Sequence, residues 1–226
     1  HHYGSQTFKE NRIDIVKNLN ERMPIFKKKW PDIDYSDLLE INNPLDKLHS
    51  DFIDNGLNAL ENLDFSSAEK QFSQILKDNP ISEEALYGLT LCSRNQDDSL
   101  KAFEFINELL KLNPNHSEAL NQFGLIMVEQ EKLSDARKAF IAAIEITPGF
   151  VEVQRNLAEL YILEEDFETG VQTYLTILKN HPEDIPSLLR MAELNREANN
   201  TIEASEWAKM VLELEPEHPF ANQFIS

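Results

Sequence analysis

The chain has 226 residues, 41% of them hydrophobic and 27% charged, and its formal net charge at pH 7 is −19. Such an acidic chain repels phosphate backbones and anionic lipid headgroups, which argues against a nucleic-acid ligand. No apolar run approaches the ~20 residues that span a bilayer, so direct membrane insertion is not expected. The only cysteine is Cys92, which excludes an internal disulfide and favours a reducing, cytoplasmic location.

The first 48 residues are predicted to form a non-repeat helical segment. His1 and His2 are typical of a purification-tag remnant. An amphipathic helix is expected over residues 7–23, because its apolar residues recur at helical spacing and Pro24 follows it. We expect this helix to cap the apolar end of the helices that follow. Folding back onto their groove and pairing with a second molecule are the alternatives.

Prolines recur every 34 residues through the rest of the chain, at Pro80, Pro114, Pro148, Pro182 and Pro216. The side chains twelve residues before each proline are all small: Ala68, Ala102, Ala136, Gly170 and Ala204. The side chains at the positions 24 residues before each proline are also small: Gly56, Thr90, Gly124, Ala158 and Ala192. This period predicts pairs of amphipathic helices that approach closely at the small residues, with each pair stacked on the next.

The predicted units occupy residues 49–218, followed by a C-terminal stub at 219–226. Their expected ranges are 49–82, 83–116, 117–150, 151–184 and 185–218. Because apolar residues remain on the last predicted helix, we expect the natural chain to continue beyond the stub.

Eight residues before each proline the side chain is large in four of the five units: Phe72, Ile106, Phe140 and Tyr174, with Ala208 as the exception. This small–large–small pattern and the closing proline resemble the tetratricopeptide repeat (TPR) family over about three quarters of the chain. The resemblance implies an all-α fold, an α-solenoid of five TPR-like helix–turn–helix repeats with a non-repeat helical N-terminal cap. It also implies a concave groove lined by the first helix of each repeat, in which a peptide or helix binds.

The groove is expected to be apolar in the early repeats and richer in arginine in the later ones. Its predicted residues are Ile53, Leu57, Tyr87, Leu91, Asn121, Leu125, Val128, Arg155, Asn156, Ile162, Arg190 and Arg196. Arg155 and Arg190 are hypothesised to contact an acidic group of the partner. Alternatively, the apolar residues pack against the chain's own N-terminal helix, and the arginines pair internally with Glu159, Glu193 and Glu197.

Motifs for chemistry are lacking in the sequence. There is no glycine-rich phosphate loop, no Cys–His metal spacing and no serine nucleophile motif, so no enzyme activity, cofactor or metal is expected. The predicted function is that of a protein–protein interaction scaffold or adaptor. The alternatives are an accessory domain of a larger enzyme, such as a transferase, and a structural protein that self-associates through its array ends or N-terminal helix.

Overall fold

A computed structural model describes residues 44–225 of the chain, with side chains from residue 49 onward. Within this range there are ten α-helices, one short 3₁₀ helix and no β-strand. The α-helices are α1 Pro44–Glu61, α2 Phe65–Asp78, α3 Glu83–Asn95, α4 Ser99–Leu112, α5 Ser117–Glu129, α6 Leu133–Ile146, α7 Val151–Leu163, α8 Phe167–Asn180, α9 Ile185–Glu197 and α10 Thr201–Leu214, and the 3₁₀ helix is Ala221–Phe224. The predicted all-α fold is confirmed for the described residues.

The predicted N-terminal helix over residues 7–23 lies outside the described residues, as does the chain up to residue 43. The described helices form two compact units, divided between Asp98 and Ser99. Unit 1 contains α1, α2 and α3, and unit 2 contains α4 to α10 together with the 3₁₀ helix.

Helices α1, α3, α5, α7 and α9 all end in the same turn. One residue of each turn has a positive φ, and these residues recur every 34 positions: Leu63 (59°), Asp97 (58°), Glu131 (59°), Glu165 (64°) and Asn199 (62°). The next amide donates to the carbonyl five residues back, as from Asp64 N to Ala59 O at 2.8 Å. This Schellman-type closure satisfies helix-end carbonyls that would otherwise lack partners.

Side-chain caps fix the beginning of several helices. Asp64 accepts from the Ser67 amide at 3.0 Å before α2, and Asp166 accepts from the Thr169 amide at 3.2 Å before α8. The side-chain and backbone hydrogen bonds of Ser67 hold the pKa of Asp64 below its usual value. Each cap satisfies one of the free N–H groups of a helix N-terminus.

The core of unit 1 is organised around Phe72 of α2, which is fully buried. A Cβ added at Gly56 of α1 would lie 2.7 Å from the Phe72 ring, and one added at Gly88 of α3 would lie 2.4 Å from it. The ring is therefore in close contact with two glycine backbones. This explains why both neighbouring helices carry the smallest residue at their contact with α2.

In unit 2 each odd-numbered helix packs on the helix that follows it: α5 on α6, α7 on α8 and α9 on α10. Phe140 of α6 packs closely against Gly124 of α5, as Phe72 packs against Gly56 and Gly88. A Cβ added at Gly124 would lie 2.4 Å from the Phe140 ring. Helices α8, α9 and α10 share one buried cluster that includes Tyr174, Ile177, Leu188, Met191 and Val211. The odd-numbered helices thereby keep one face outside these cores.

Candidate functional site

The residues predicted to line a groove all lie on odd-numbered helices, which we call the first helices. In unit 1, Ile53 and Leu57 are one turn apart on α1, and Tyr87 and Leu91 are one turn apart on α3. All four side chains are partly exposed, and α1 contacts α3 directly. We call these four residues the unit-1 face; three are aliphatic, and Tyr87 adds an aromatic ring that carries a hydroxyl.

In unit 2 the first helices α5 and α7 are joined by an amide pair. The Asn156 side chain donates from Nδ2 to Oδ1 of Asn121 at 2.8 Å, and Asn121 Nδ2 donates to Glu152 Oε1 at 3.2 Å. Asn121 is only 1% exposed. Its amide therefore positions Asn156 and has little surface to offer a partner.

The first helices α7 and α9 are joined by an ion pair. Arg190 donates from Nε to Glu159 Oε1 at 2.7 Å and from its Nη2 to Glu159 Oε2 at 3.2 Å. Its remaining terminal nitrogen lies 3.2 Å from Glu193 Oε2 and 3.4 Å from Glu197 Oε1. Burial alone would lower the pKa of Arg190, but Glu159, together with Glu197 and Glu193, outweighs this effect and the pKa is raised.

Tyr174 of α8 extends this network into the core of unit 2. Its hydroxyl donates to Glu159 Oε1 at 2.5 Å, and the residue is 2% exposed. Burial and the bond to Glu159 both raise the pKa of the phenol, so it stays neutral and donates. The contact links Glu159 to the buried cluster and holds the carboxylate for Arg190.

Arg155 of α7 has an internal partner as well. Its guanidinium donates to Asp184 Oδ1 at 2.6 Å, and Asp184 Oδ2 accepts from the Ser187 amide at 3.1 Å as the N-cap of α9. The sequence suggested internal pairing with Glu159, Glu193 and Glu197. Arg190 contacts these three glutamates, whereas Arg155 pairs with Asp184, which was not among the suggested partners. Each arginine connects α7 to the following first helix or its cap.

The other predicted residues differ in what they offer. Leu125, Val128 and Ile162 are partly exposed, but Ile162 also packs on the helix behind it, since a Cβ at Gly170 would lie 2.6 Å from its Cγ1. The guanidinium of Arg196 lies 4.3 Å from the Phe224 ring centroid, a cation–π contact.

Sequence reasoning missed two residues of this region. Tyr174 occupies a position where the repeat pattern predicts a large apolar core residue, and nothing in that pattern indicates that its hydroxyl reaches a neighbouring helix. Leu163, next to Ile162, is 56% exposed. The signal that could have found Leu163 is its position one turn after Glu159 on the same helix.

Within the described residues no cluster of three or more metal-binding side chains occurs, and no helix there is long and apolar enough to cross a bilayer. What the first helices present is a set of partly exposed apolar and charged side chains. Such a surface can bind another chain.

Comparison with known proteins supports this architecture. The family model described as "Anaphase-promoting complex, cyclosome, subunit 3" matches residues 61–143, and the one described as "Tetratricopeptide repeat" matches residues 122–185. The solved structure of PilF from Pseudomonas aeruginosa aligns with a TM-score of 0.67 at 16% identity, covering 80% of this chain and 90% of that one. A MamA structure aligns with a TM-score of 0.59 at 19% identity, covering 72% and 95%. These identities establish the fold alone.

Curated relatives match over part of the chain. The human protein O-mannosyl-transferase TMTC3 is 28% identical over 130 residues, which is 57% of this chain and 14% of that protein. The peroxisomal targeting signal receptor of Saccharomyces cerevisiae is 26% identical over 113 residues, 50% of this chain and 18% of the receptor. The chain thus spans less than a fifth of the length of either relative.

Ten helices without a strand in the described residues, and solved repeat proteins that superpose on them, define an all-α helical-repeat solenoid. Residues 122–185 match the tetratricopeptide repeat family, and this match, the neighbouring family match over residues 61–143 and the superposed repeat structures support a tetratricopeptide repeat protein. Tetratricopeptide repeats are associated with protein–protein interaction, and the relatives that carry them have varied functions.

Proposed function

We propose that this chain is a protein–protein interaction scaffold or adaptor, and that its first-helix faces bind a peptide or helix of a partner protein. The observation that carries the proposal is the unit-1 face. Three aliphatic side chains and the Tyr87 ring, at positions one repeat apart, stay partly exposed there, while Phe72 behind them is fully buried. Apolar residues one turn apart on neighbouring helices are suited to receive the apolar side of a partner helix or an extended peptide.

The residues proposed to contact a partner are those predicted from the sequence, except for three that we now assign to positioning. Arg155, Arg190 and Asn121 hold neighbouring first helices together and act as positioning residues. Leu125, Val128, Asn156, Ile162 and Arg196 remain proposed contacts in unit 2.

A pull-down with paired variants tests the proposal. Leu57→Asp places a charge on the unit-1 face, whereas Leu63→Asp places one on a leucine that is 72% exposed in the turn after α1. Proteins retained by the wild type should be lost with Leu57→Asp and kept with Leu63→Asp, provided that circular dichroism shows both variants folded. If Leu57→Asp retains the same proteins as the wild type, the unit-1 face is not the binding surface.

An accessory role in a larger enzyme is the second candidate. It is favoured by relatives named as transferases: the human O-mannosyl-transferase and a tomato protein described as a probable N-acetylglucosaminyltransferase, SPINDLY, 26% identical over 94 residues. The full-length reading frame tests it, since an adjoining catalytic domain is required.

Self-association and a cytoplasmic location also remain proposals. Light scattering over a wide concentration range tests the first, because a monomer throughout would exclude self-assembly. Cell fractionation tests the second, whose basis is the single cysteine.

A further inference from the structure

The ion pairs of unit 2 leave more carboxylates than cations on its first helices. Arg155 is matched by Asp184 at 2.6 Å. Arg190 is a single positive charge surrounded by Glu159, Glu193 and Glu197, at 2.7, 3.2 and 3.4 Å. One guanidinium balances only one of these three carboxylates, so the cluster retains a surplus of negative charge.

The surplus lies on accessible side chains. The side chains of Glu193 and Glu197 are 45% and 62% exposed, whereas that of Arg190 is 23% exposed. The cation is therefore the inner member of the cluster, and two carboxylates form its outer edge. Arg196, the other cation of α9, is also exposed, but its guanidinium lies over the Phe224 ring. Counting Arg190 and Arg196 against Glu159, Glu193 and Glu197 still leaves one net negative charge.

An apolar strip lies beside this acidic edge. Leu163 is 56% exposed and follows Glu159 by one turn on α7, and Ile162, Leu125 and Val128 are partly exposed on α7 and α5. We call Leu125, Val128, Ile162, Leu163, Glu193 and Glu197 the unit-2 face. Its apolar and acidic parts adjoin because Glu159 of α7 binds Arg190 of α9.

We propose that the unit-2 face binds a basic amphipathic segment of a partner protein, with lysine or arginine at Glu193 and Glu197 and aliphatic side chains at Leu163 and Val128. This inference rests on the proposed function and specifies the chemistry of the partner. Charge complementarity supports it, because unit 2 has 22 Asp and Glu against 10 Lys and Arg, a net charge of −12. That field attracts a cationic segment and speeds its encounter with the face.

An acidic partner fits this face poorly. To reach Arg190 it would have to displace Glu159, which makes two hydrogen bonds to the guanidinium and one to the hydroxyl of buried Tyr174. Breaking such a network leaves desolvated charged groups without partners. The displacing carboxylate would also approach Glu193 and Glu197.

Two synthetic amphipathic peptides test the proposal by fluorescence anisotropy. They share one leucine pattern at helical spacing, and their polar positions are all lysine in one and all glutamate in the other. The lysine peptide should bind the whole chain at least about tenfold more tightly than the glutamate peptide, with an affinity that falls as salt is added.

Matched variants separate this face from the general attraction of a negative protein. Glu193→Lys with Glu197→Lys changes the face, and Glu206→Lys with Glu213→Lys makes the same charge change at exposed positions of α10. The first variant should lose about tenfold in affinity for the lysine peptide and the second about threefold or less. If charge reversal disturbs folding, Glu193→Gln with Glu197→Gln replaces the first variant, and Glu206→Gln with Glu213→Gln on α10 is its control.

A second pair of variants tests the apolar part. Leu163→Ser should weaken binding of the lysine peptide several-fold, whereas Leu100→Ser, at a leucine of α4 that is 78% exposed, should not. The proposal is wrong if a face variant and its control lose the same affinity for the lysine peptide, in either the charge pair or the leucine pair. It is also wrong if the wild type binds the two peptides equally well. Tighter binding of the glutamate peptide would refute the proposal that the partner segment is basic, but it would not contradict the proposed scaffold function. If neither peptide binds, the inference fails, and the pull-down with Leu57→Asp still decides the function.

Discussion

Gly124 is the position where the packing of unit 2 leaves least room for change. A Cβ added there would lie 2.4 Å from Cε1, 2.7 Å from Cδ1 and 2.9 Å from Cζ of Phe140. Carbon atoms that are not bonded to each other pack at about 3.5–4.0 Å, so Gly124→Ala requires a shift of roughly 1 Å. Phe140 is fully buried, and in a close-packed interior its ring can move only by displacing neighbouring side chains.

The expected cost follows from two opposing effects. Overpacking of a well-packed core destabilises by about 1–3 kcal/mol. Alanine recovers about 0.5–1 kcal/mol over glycine inside a helix. We therefore expect Gly124→Ala to lower the free energy of unfolding by about 0–2.5 kcal/mol in urea titrations followed by circular dichroism. Gly149→Ala is the control, because nothing lies within 4 Å of a Cβ there and its effect should stay within about 0.5 kcal/mol.

A double-mutant cycle decides whether the ring is the cause. Phe140→Leu removes the atoms that the new methyl group would meet, so the cost of Gly124→Ala should be smaller in that background. The two changes should then be coupled by about 0.5 kcal/mol or more. Strict additivity, or a stabilising effect of Gly124→Ala in the wild type, would show that the close approach does not govern this interface.

The turns, the buried tyrosine and the cysteine give further predictions. Leu63→Gly should stabilise the fold by up to about 1 kcal/mol, because positive φ is costly for leucine, while Asn199→Gly should gain much less because asparagine tolerates it; urea titration of the two variants checks this. Tyr174→Phe should cost about 1.5–3 kcal/mol near neutral pH, since a hydrogen bond to a charged group is lost. Burial and the bond to Glu159 raise the pKa of the Tyr174 phenol, so the stability that the phenol contributes is complete below the ordinary tyrosine pKa of about 10 and declines above it. The difference in unfolding free energy between the wild type and Tyr174→Phe should therefore become smaller above about pH 10. A difference that does not change with pH would contradict the assignment. Burial, with Glu69 nearby, raises the pKa of Cys92 to about 12, so a thiol reagent near neutral pH should label the native chain far more slowly than the urea-unfolded chain.

Periodicity was sufficient to predict the fold class because each repeat poses the same packing problem. A small residue is required wherever two helices approach, and Ala68, Ala102 and Ala136 are fully buried as that requirement predicts. The turns were harder to predict. Composition rules favour glycine at positive φ, yet Leu63 and Glu165 adopt it, because the five-residue closure fixes the backbone whatever the side chain.

The positions of the candidate contact residues on first helices could be predicted, but their partners within the chain could be foreseen only in part. Spacing along one helix indicates that Glu193 and Glu197 can reach Arg190, and they do. Pairs that connect neighbouring repeats, such as Arg155 with Asp184 at a separation of 29 residues, depend on how the helices are placed side by side. No pattern within a single helix contains that information.

The polarity of a repeat surface therefore depends on which charges the fold has already used. A half-buried arginine retains its carboxylate because leaving either ion unpaired in a desolvated site is costly. Arginines that join first helices thus contribute rigidity, and the charge available to a partner is what remains after they are paired. On α7 and α9 the remainder includes the carboxylates of Glu193 and Glu197 and a single arginine, Arg196, which lies over the Phe224 ring, although the sequence of these two helices shows three arginines. We therefore predict the charge of the partner from the side chains that remain after the pairs formed about one repeat apart are subtracted, whereas counting the arginines of the face alone would predict the opposite sign.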